Sequence, residues 1–301
     1  MAFEWAVMAY MLFTLLLIMI TYTKLHAPGT MLWGRAQVVI STLALWGVYR
    51  MIPCRLTMLF RVCLQLILLS WWYPDTYELN SVLPNLDHVF AGYEQQLFHC
   101  QPALLFSQKL SNPVFSELMH LGYASYYPLI ALVTFFYFFY RYQEFARMAF
   151  IVLGAFMLYY VIFVLLPVTG PQYYYLAAGV EEIAQGHFPN VGDYFATHSE
   201  ALTIPGWKDG FFYQCVASAH EAGERPTAAF PSSHVGVTTI LLLLAWHARN
   251  RKLLYTLLPF YVLMCFATVY IQAHYAIDVI GGWISALIIY MFLFFLSKKF
   301  V

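Results

Sequence analysis

Two short stretches of this sequence hold residue types and spacings that can do chemistry. The first, Pro231-Ser232-Ser233-His234, comes where a polar stretch gives way to an apolar run. Proline suits the first turn of a helix, where its missing N–H would be unpaired anyway. Ser232 and Ser233 favour a helix start, since their hydroxyls can accept from the orphan N–H groups. Free donors at the positive end of a helix dipole make a ready phosphate site. His234 then stands in the first turn, able to donate to a bound phosphate or pass a proton to a departing oxygen. The second stretch, residues 268–283, holds His274 and Asp278 four apart. On a helix such positions share a face. The carboxylate can then hold the proton-bearing imidazole nitrogen and leave the other nitrogen free to attack. One motif alone reads as a capped helix with an interfacial histidine; the two together predict a catalytic pocket.

The elements that must position these residues are membrane helices. Of 301 residues, 62% are hydrophobic and 10% charged, where a soluble domain carries ~25% charged residues. Apolar runs long enough to cross ~30 Å of hydrocarbon cover 3–23, 36–52, 56–73, 118–140, 147–167, 232–248, 253–272 and 277–296. The sequence therefore predicts an all-α integral membrane protein of about eight transmembrane helices. The second span is the weakest, being short and flanked by Arg35 and Arg50. The first lacks a basic start and a small-residue cleavage site, so it reads as a retained helix. Trp71, Trp72 and Tyr73 close the third span, where aromatic side chains are expected at the headgroup level.

Net charge is zero, yet ten of the 15 lysines and arginines fall on one side of the alternating connections, mostly in short loops. The positive-inside rule places that side, with both termini, in the cytoplasm. The opposite face, extracytoplasmic or lumenal, receives His234, His274 and two long connections, 74–117 and 168–230.

In the first connection Leu86, Val89, Phe90, Tyr93, Leu97 and Phe98 recur near helical spacing, predicting an amphipathic helix at the interface. The second carries Tyr173–Tyr175 and seven acidic residues against Lys208 and Arg225. It reads either as a solvated lid or as a cap whose acidic groups accept hydrogen bonds from a polyol headgroup. Cys100 and Cys215 fall one in each connection and could form a disulfide or stay as two thiols. Cys54, Cys63 and Cys265 read as small hydrophobes in or near spans. The chain has no CxxC or other metal-type spacing, no glycine-rich nucleotide loop and no basic nucleic-acid patch. Neither a metal, another cofactor nor a nucleic-acid partner is expected. His88, His99, His120, His187, His198 and His220 read as interface or loop residues.

At Pro231-Ser232-Ser233-His234 and at His274 with Asp278 the sequence resembles the type 2 phosphatidic acid phosphatase superfamily, whose second motif centres on P-S-x-H and whose third ends in H-x-x-x-D. The resemblance implies that His274 attacks phosphorus to form a phosphohistidine, that Asp278 orients it and that His234 serves the leaving group. It also implies a catalytic six-helix domain over residues 56–301, preceded by two added helices in 1–55. The third motif usually begins Ser-Arg seven residues before its histidine; here Ala267 and Thr268 stand there. The first motif, lysine, six residues, then Arg-Pro, is absent, and the single Arg-Pro pair is Arg225–Pro226. Arg225 is thus the candidate for the missing phosphate-binding charge, with Gln172 and Gln272 as neutral donors.

The pair His274–Tyr275 with Asp278–Val279, the stretch "LDHVFAGYEQQLFHCQPALLF" and "HLGYASYY" after it are similar to the inositol phosphorylceramide synthases of fungi. That branch implies transfer of a phospho-headgroup, phosphoinositol, from a glycerophospholipid donor to a ceramide-like acceptor, with Tyr275 a headgroup contact. The partners expected are membrane lipids; the sequence names no partner subunit. Two alternatives stand beside it: a lipid phosphate or pyrophosphate phosphatase of the same mechanism, and a non-catalytic lipid-binding membrane protein. Soluble vanadate-dependent haloperoxidases share the histidine site but have no need of so many apolar spans.

Overall fold

Lipid offers a backbone no hydrogen-bond partner, so apolar runs of this length must satisfy their own amides as helices. The computed structural model describes residues 2–300, and among them every regular element is helical. The chain opens with α1 (Ala2–Thr21), α2 (Pro28–Met51) and α3 (Arg55–Asn80). The first long connection holds α4 (Asp87–Phe98) and α5 (Pro102–Lys109). Next come α6 (Pro113–Ala124), α7 (Tyr126–Tyr140) and α8 (Tyr142–Leu165). The second connection folds into α9 (Pro171–Ala178), α10 (Val180–Ala184) and α11 (Phe211–Gly223). The chain ends in α12 (Ser233–His247), α13 (Arg251–Tyr270) and α14 (Ala276–Phe300).

Six of these helices, α1, α2, α3, α8, α13 and α14, are long and apolar enough to cross a membrane, and α6–α7 makes a seventh if the bent pair is one span. The run expected as an eighth, 232–248, is α12, apolar but only 15 residues long. At 1.5 Å per residue that is ~22 Å, short of the hydrocarbon thickness. The expected span 118–140 is broken at Ser125, where α6 and α7 meet at 46°. Pro128 supplies the reason, having no N–H for the Ala124 carbonyl and a ring that clashes with it.

Two span ends also differ from expectation. α2 begins at Pro28, so Arg35 lies inside the helix, buried, and pairs with Asp75 of α3 through two bonds of 2.7 and 3.1 Å. α3 in turn runs on to Asn80. Trp72 is fully buried against Tyr10 rather than set among headgroups, the two rings crossing edge-on at 5.1 Å.

α8 forms the centre of the bundle, packed on α1, α3, α7, α12 and α14. α12 is enclosed by α7, α8, α13 and α14, and α6 packs on both α13 and α11. The long connections are packed structure: Tyr173, Tyr174 and Tyr175 are all buried. α4 is amphipathic as expected, with its polar side turned inward. Asp87, Ala91 and Glu94 are buried, while Val89, Tyr93 and Leu97 are exposed. The disulfide is not formed. Cys100 and Cys215 are both free, Cys215 pointing outward from α11 while its neighbours Tyr213 and Val216 are buried.

Candidate active site

Three chain segments converge on the histidines. Ser232 caps α12, its hydroxyl accepting from the Val235 N–H at 3.4 Å, so Pro231 precedes the cap instead of opening the first turn. The Ser232 N–H donates to the backbone carbonyl of Asp278 at 3.0 Å, tying the start of α12 to the start of α14. Gly282 allows this approach; a Cβ there would lie 2.8 Å from the Ser232 carbonyl oxygen.

His274 lies in the turn between α13 and α14, not on a helix, so the expected i to i+4 helical face is absent. The turn is fixed by the His274 N–H donating to Thr268 at 3.0 Å and by Gln272 at a φ of 65°. Asp278 accepts from the Tyr275 N–H at 2.8 Å, as an acidic residue in a helix's first turn often does for the cap residue. The imidazole Nδ1 of His274 lies 2.7 Å from the Ala229 carbonyl and 3.5 Å from Asp278 Oδ2. A carbonyl can only accept, so Nδ1 carries the proton and Nε2 keeps its lone pair. The tautomer expected from Asp278 is therefore set chiefly by Ala229, with the carboxylate behind it. Burial pushes the His274 imidazole down to about 4, against the opposing pull of the Ala229 carbonyl and Glu224. The ring is thus neutral over the physiological range.

His234 faces it, with Nδ1 3.4 Å from His274 Nε2. Its ring is held between Tyr123, stacked at 4.5 Å, and Tyr126 at 4.3 Å. These tyrosines flank the α6–α7 break, so the bend forms the walls of the His234 slot. The pair opens into a cleft lined also by Tyr73, Thr169, Gln172, Tyr173, His220, Glu224, Thr227 and Ser233. The cleft measures about 30 Å³, room for a few waters and too little for a lipid headgroup, so substrate binding must widen it.

A family model of the PAP2 superfamily matches residues 89–292. The chain belongs to the PAP2 superfamily. Members are phosphatases or phosphotransferases, so this is an enzyme of that type acting at a membrane. The chain finds no match among curated proteins or among solved structures.

For a PAP2 enzyme the cleft is poor in cations: none of its lining residues is lysine or arginine. Arg225 is exposed and donates to the Glu224 backbone carbonyl at 2.9 Å, outside the lining. The Gln272 amide donates to Ala103 at 3.3 Å, and Tyr275, fully buried, donates its hydroxyl to Asp87 at 2.9 Å. Neither reaches the cleft. Gln172 does line it, its amide donating to Leu202 at 2.6 Å. Of the expected phosphate contacts Ser233 is on the wall and Ser232 serves as the cap.

Sequence reasoning missed the carboxylates that hold the PAP2 site from behind. Asp87 Oδ2 accepts from the Thr169 N–H at 2.7 Å and Oδ1 from the Gly170 N–H at 2.9 Å, which fixes the loop before α9. Gly170, at a φ of 93°, lies so close to the turn that a Cβ would be 2.6 Å from the Ala273 carbonyl oxygen. Glu94 accepts from the Ile277 N–H at 3.0 Å, capping α14 beside Asp278. Burial, with Asp278 near by, pushes Glu94 up to about 8. Of the wall residues, His220 reads in sequence as an interface or loop residue and Tyr73 as a span end, while Glu224 and Tyr123 are not singled out; the tyrosine-rich "HLGYASYY" is the one local sign.

Proposed function

We propose that this enzyme is a lipid phosphotransferase that moves a phospho-headgroup, phosphoinositol in the first instance, from a glycerophospholipid to a ceramide-like lipid. The observation that carries the reading is the pairing of His274 Nε2, unprotonated, with His234 Nδ1 at 3.4 Å across the cleft. The donor's phosphate enters between the two rings. His274 Nε2 attacks phosphorus as the bond to the diacylglycerol oxygen breaks, and that oxygen takes a proton from His234. His234 must enter the step protonated, a form that an adjacent phosphate anion favours. The acceptor hydroxyl then returns a proton to His234 and attacks phosphorus, and His274 leaves with its lone pair restored. The α12 N-terminus, Ser233 and the polar wall would steady the developing charge.

Transfer rather than hydrolysis is supported by the access route. α3 packs chiefly on α1, α2 and α8. The wall between α3 and α6 includes side chains that could part, Tyr73 and Tyr123 meeting on Glu224. A lipid acceptor can enter laterally through such a wall. In this reading residues 56–301 carry the catalysis, 1–55 add two helices, both termini are cytoplasmic and the cleft faces the extracytoplasmic or lumenal side.

The test is purified protein in detergent with headgroup-labelled phosphatidylinositol, with and without ceramide, beside His274→Ala. Ceramide-dependent label transfer that the variant loses is the expected result. Phosphate release from phosphatidic acid without transfer would make the enzyme a phosphatase. A wild type as inert as the variant toward both would remove the catalytic reading.

A further inference from the structure

A fixed carboxylate stands where a phosphate site ordinarily has a cation. Glu224 follows α11 and reaches between α3 and α6. Its Oε2 accepts from the Tyr73 hydroxyl at 2.7 Å and its Oε1 from the Tyr123 hydroxyl at 3.4 Å. With both oxygens accepting, it has the bonding pattern of an ionised acid. The Tyr123 ring stacks on His234, so the carboxylate is one side chain away from the group facing the leaving oxygen. Besides the catalytic pair, His220 is the only lining residue that can bear a positive charge. Arg225, the nearest arginine in sequence, is exposed and donates to the Glu224 backbone instead.

Resting on the phosphotransferase reading, we infer that Glu224 is a specificity-determining residue that selects lipid phosphodiesters with a hydroxyl-bearing headgroup and rejects phosphomonoesters. A phosphomonoester carries between one and two negative charges near neutral pH, its second pKa being about 6; a diester carries one. The extra charge meets Glu224 with no lysine or arginine in the cleft lining to offset it, in a narrow cleft where like charges repel more strongly than in water. A headgroup hydroxyl meets the opposite welcome. It can take the place of a tyrosine hydroxyl and donate to the carboxylate, a charge-assisted bond of the stronger kind.

The experiment measures diacylglycerol release from phosphatidic acid, from its methyl ester phosphatidylmethanol and from phosphatidylinositol, in micelles containing ceramide, for wild type and Glu224→Gln. The methyl ester removes the second charge and adds no hydroxyl, so it isolates the electrostatic half of the inference. Wild type should turn over phosphatidylmethanol about tenfold faster than phosphatidic acid or better, and phosphatidylinositol faster again. Glu224→Gln should narrow the ester-to-acid ratio by about tenfold and lower phosphatidylinositol relative to phosphatidylmethanol. Phosphatidic acid handled by wild type as readily as its methyl ester overturns the inference without any variant having to fold. So does a Glu224→Gln protein that keeps both ratios. Failure of the transferase reading looks different: no ceramide product forms from any donor, while diacylglycerol release still reports on Glu224.

Discussion

His274 Nε2 lies 3.4 Å from His234 Nδ1, and the Nδ1 of His274 lies 2.7 Å from the Ala229 carbonyl. The second contact makes the first productive, since the carbonyl takes the only proton on His274 and leaves the lone pair aimed at its neighbour. The two rings therefore have separable roles. His274→Ala should abolish both turnover and any acid-labile phosphoryl label on the protein. His234→Ala should lose on the order of 10²–10⁴ in turnover, the usual worth of a positioned proton donor, yet still acquire label slowly. Label trapping by rapid quench distinguishes them, and a His234→Ala enzyme that never labels would merge the two roles.

In the proposed mechanism burial sets the pH response of His274 as nucleophile. With His274 held down to about 4, the ring stays neutral as pH falls through 6.5 and loses its lone pair only near 4. The acid limb that belongs to the nucleophile should thus appear near pH 4 in the single-turnover rate of label formation. An acid limb near 6.5 that persists in His234→Gln would contradict the burial argument.

Glu94 makes a separate prediction about stability. Its folded-state value, about 8, lies well above the ordinary glutamate value of 4.5. The folded protein therefore binds the proton more tightly, and the associated stability is complete below about pH 4.5 and lost as pH rises through 8. Glu94→Gln keeps an acceptor for the Ile277 N–H and removes the titration. The thermal midpoint in detergent should fall between pH 5 and 8 for wild type and be flatter for the variant. Parallel curves would mean that Glu94 ionises freely in the folded state.

The convergence of His234, His274 and Asp278 was legible because its signals are local. A proline, two serines and a histidine at the head of an apolar run, and a histidine four residues before an aspartate, need only a few neighbouring residues to be read. The helical geometry expected of the pair was wrong: His274 sits in a turn, and Asp278 stands in the first turn of α14, accepting from the Tyr275 N–H. The supporting groups left no such trace. Asp87 and Glu94 looked like the wet side of an interfacial helix, and only tertiary packing reveals that this side faces inward. Glu224 was one acid among seven in its loop, and its neighbour Arg225 drew attention because a missing motif called for a cation. Span ends were misjudged for a related reason. Arg35 reads as a flanking charge until Asp75, forty positions away, is seen to neutralise it inside the bundle.

That Arg35–Asp75 pair yields the last prediction. Both side chains are about 4% exposed, joined by two hydrogen bonds, with the Arg35 guanidinium also donating to the Met31 carbonyl at 3.0 Å and lying over the rings of Trp71 and Trp72. Removing one partner of a buried pair strands the other charge, at a cost of roughly 3–5 kcal/mol, whereas replacing both with apolar groups can be nearly neutral. Arg35→Leu and Asp75→Leu should each lower the thermal midpoint sharply, and the double variant should recover most of the loss. Neither Arg35 nor Asp75 lines the histidine cleft, although Asp75 stands two residues from the wall residue Tyr73, so the folded fraction of each variant should keep most of the wild-type turnover per active molecule. A double variant as unstable as the sum of the singles would show that the pair contributes through its contacts with Met31 and the tryptophans and not through charge neutralisation.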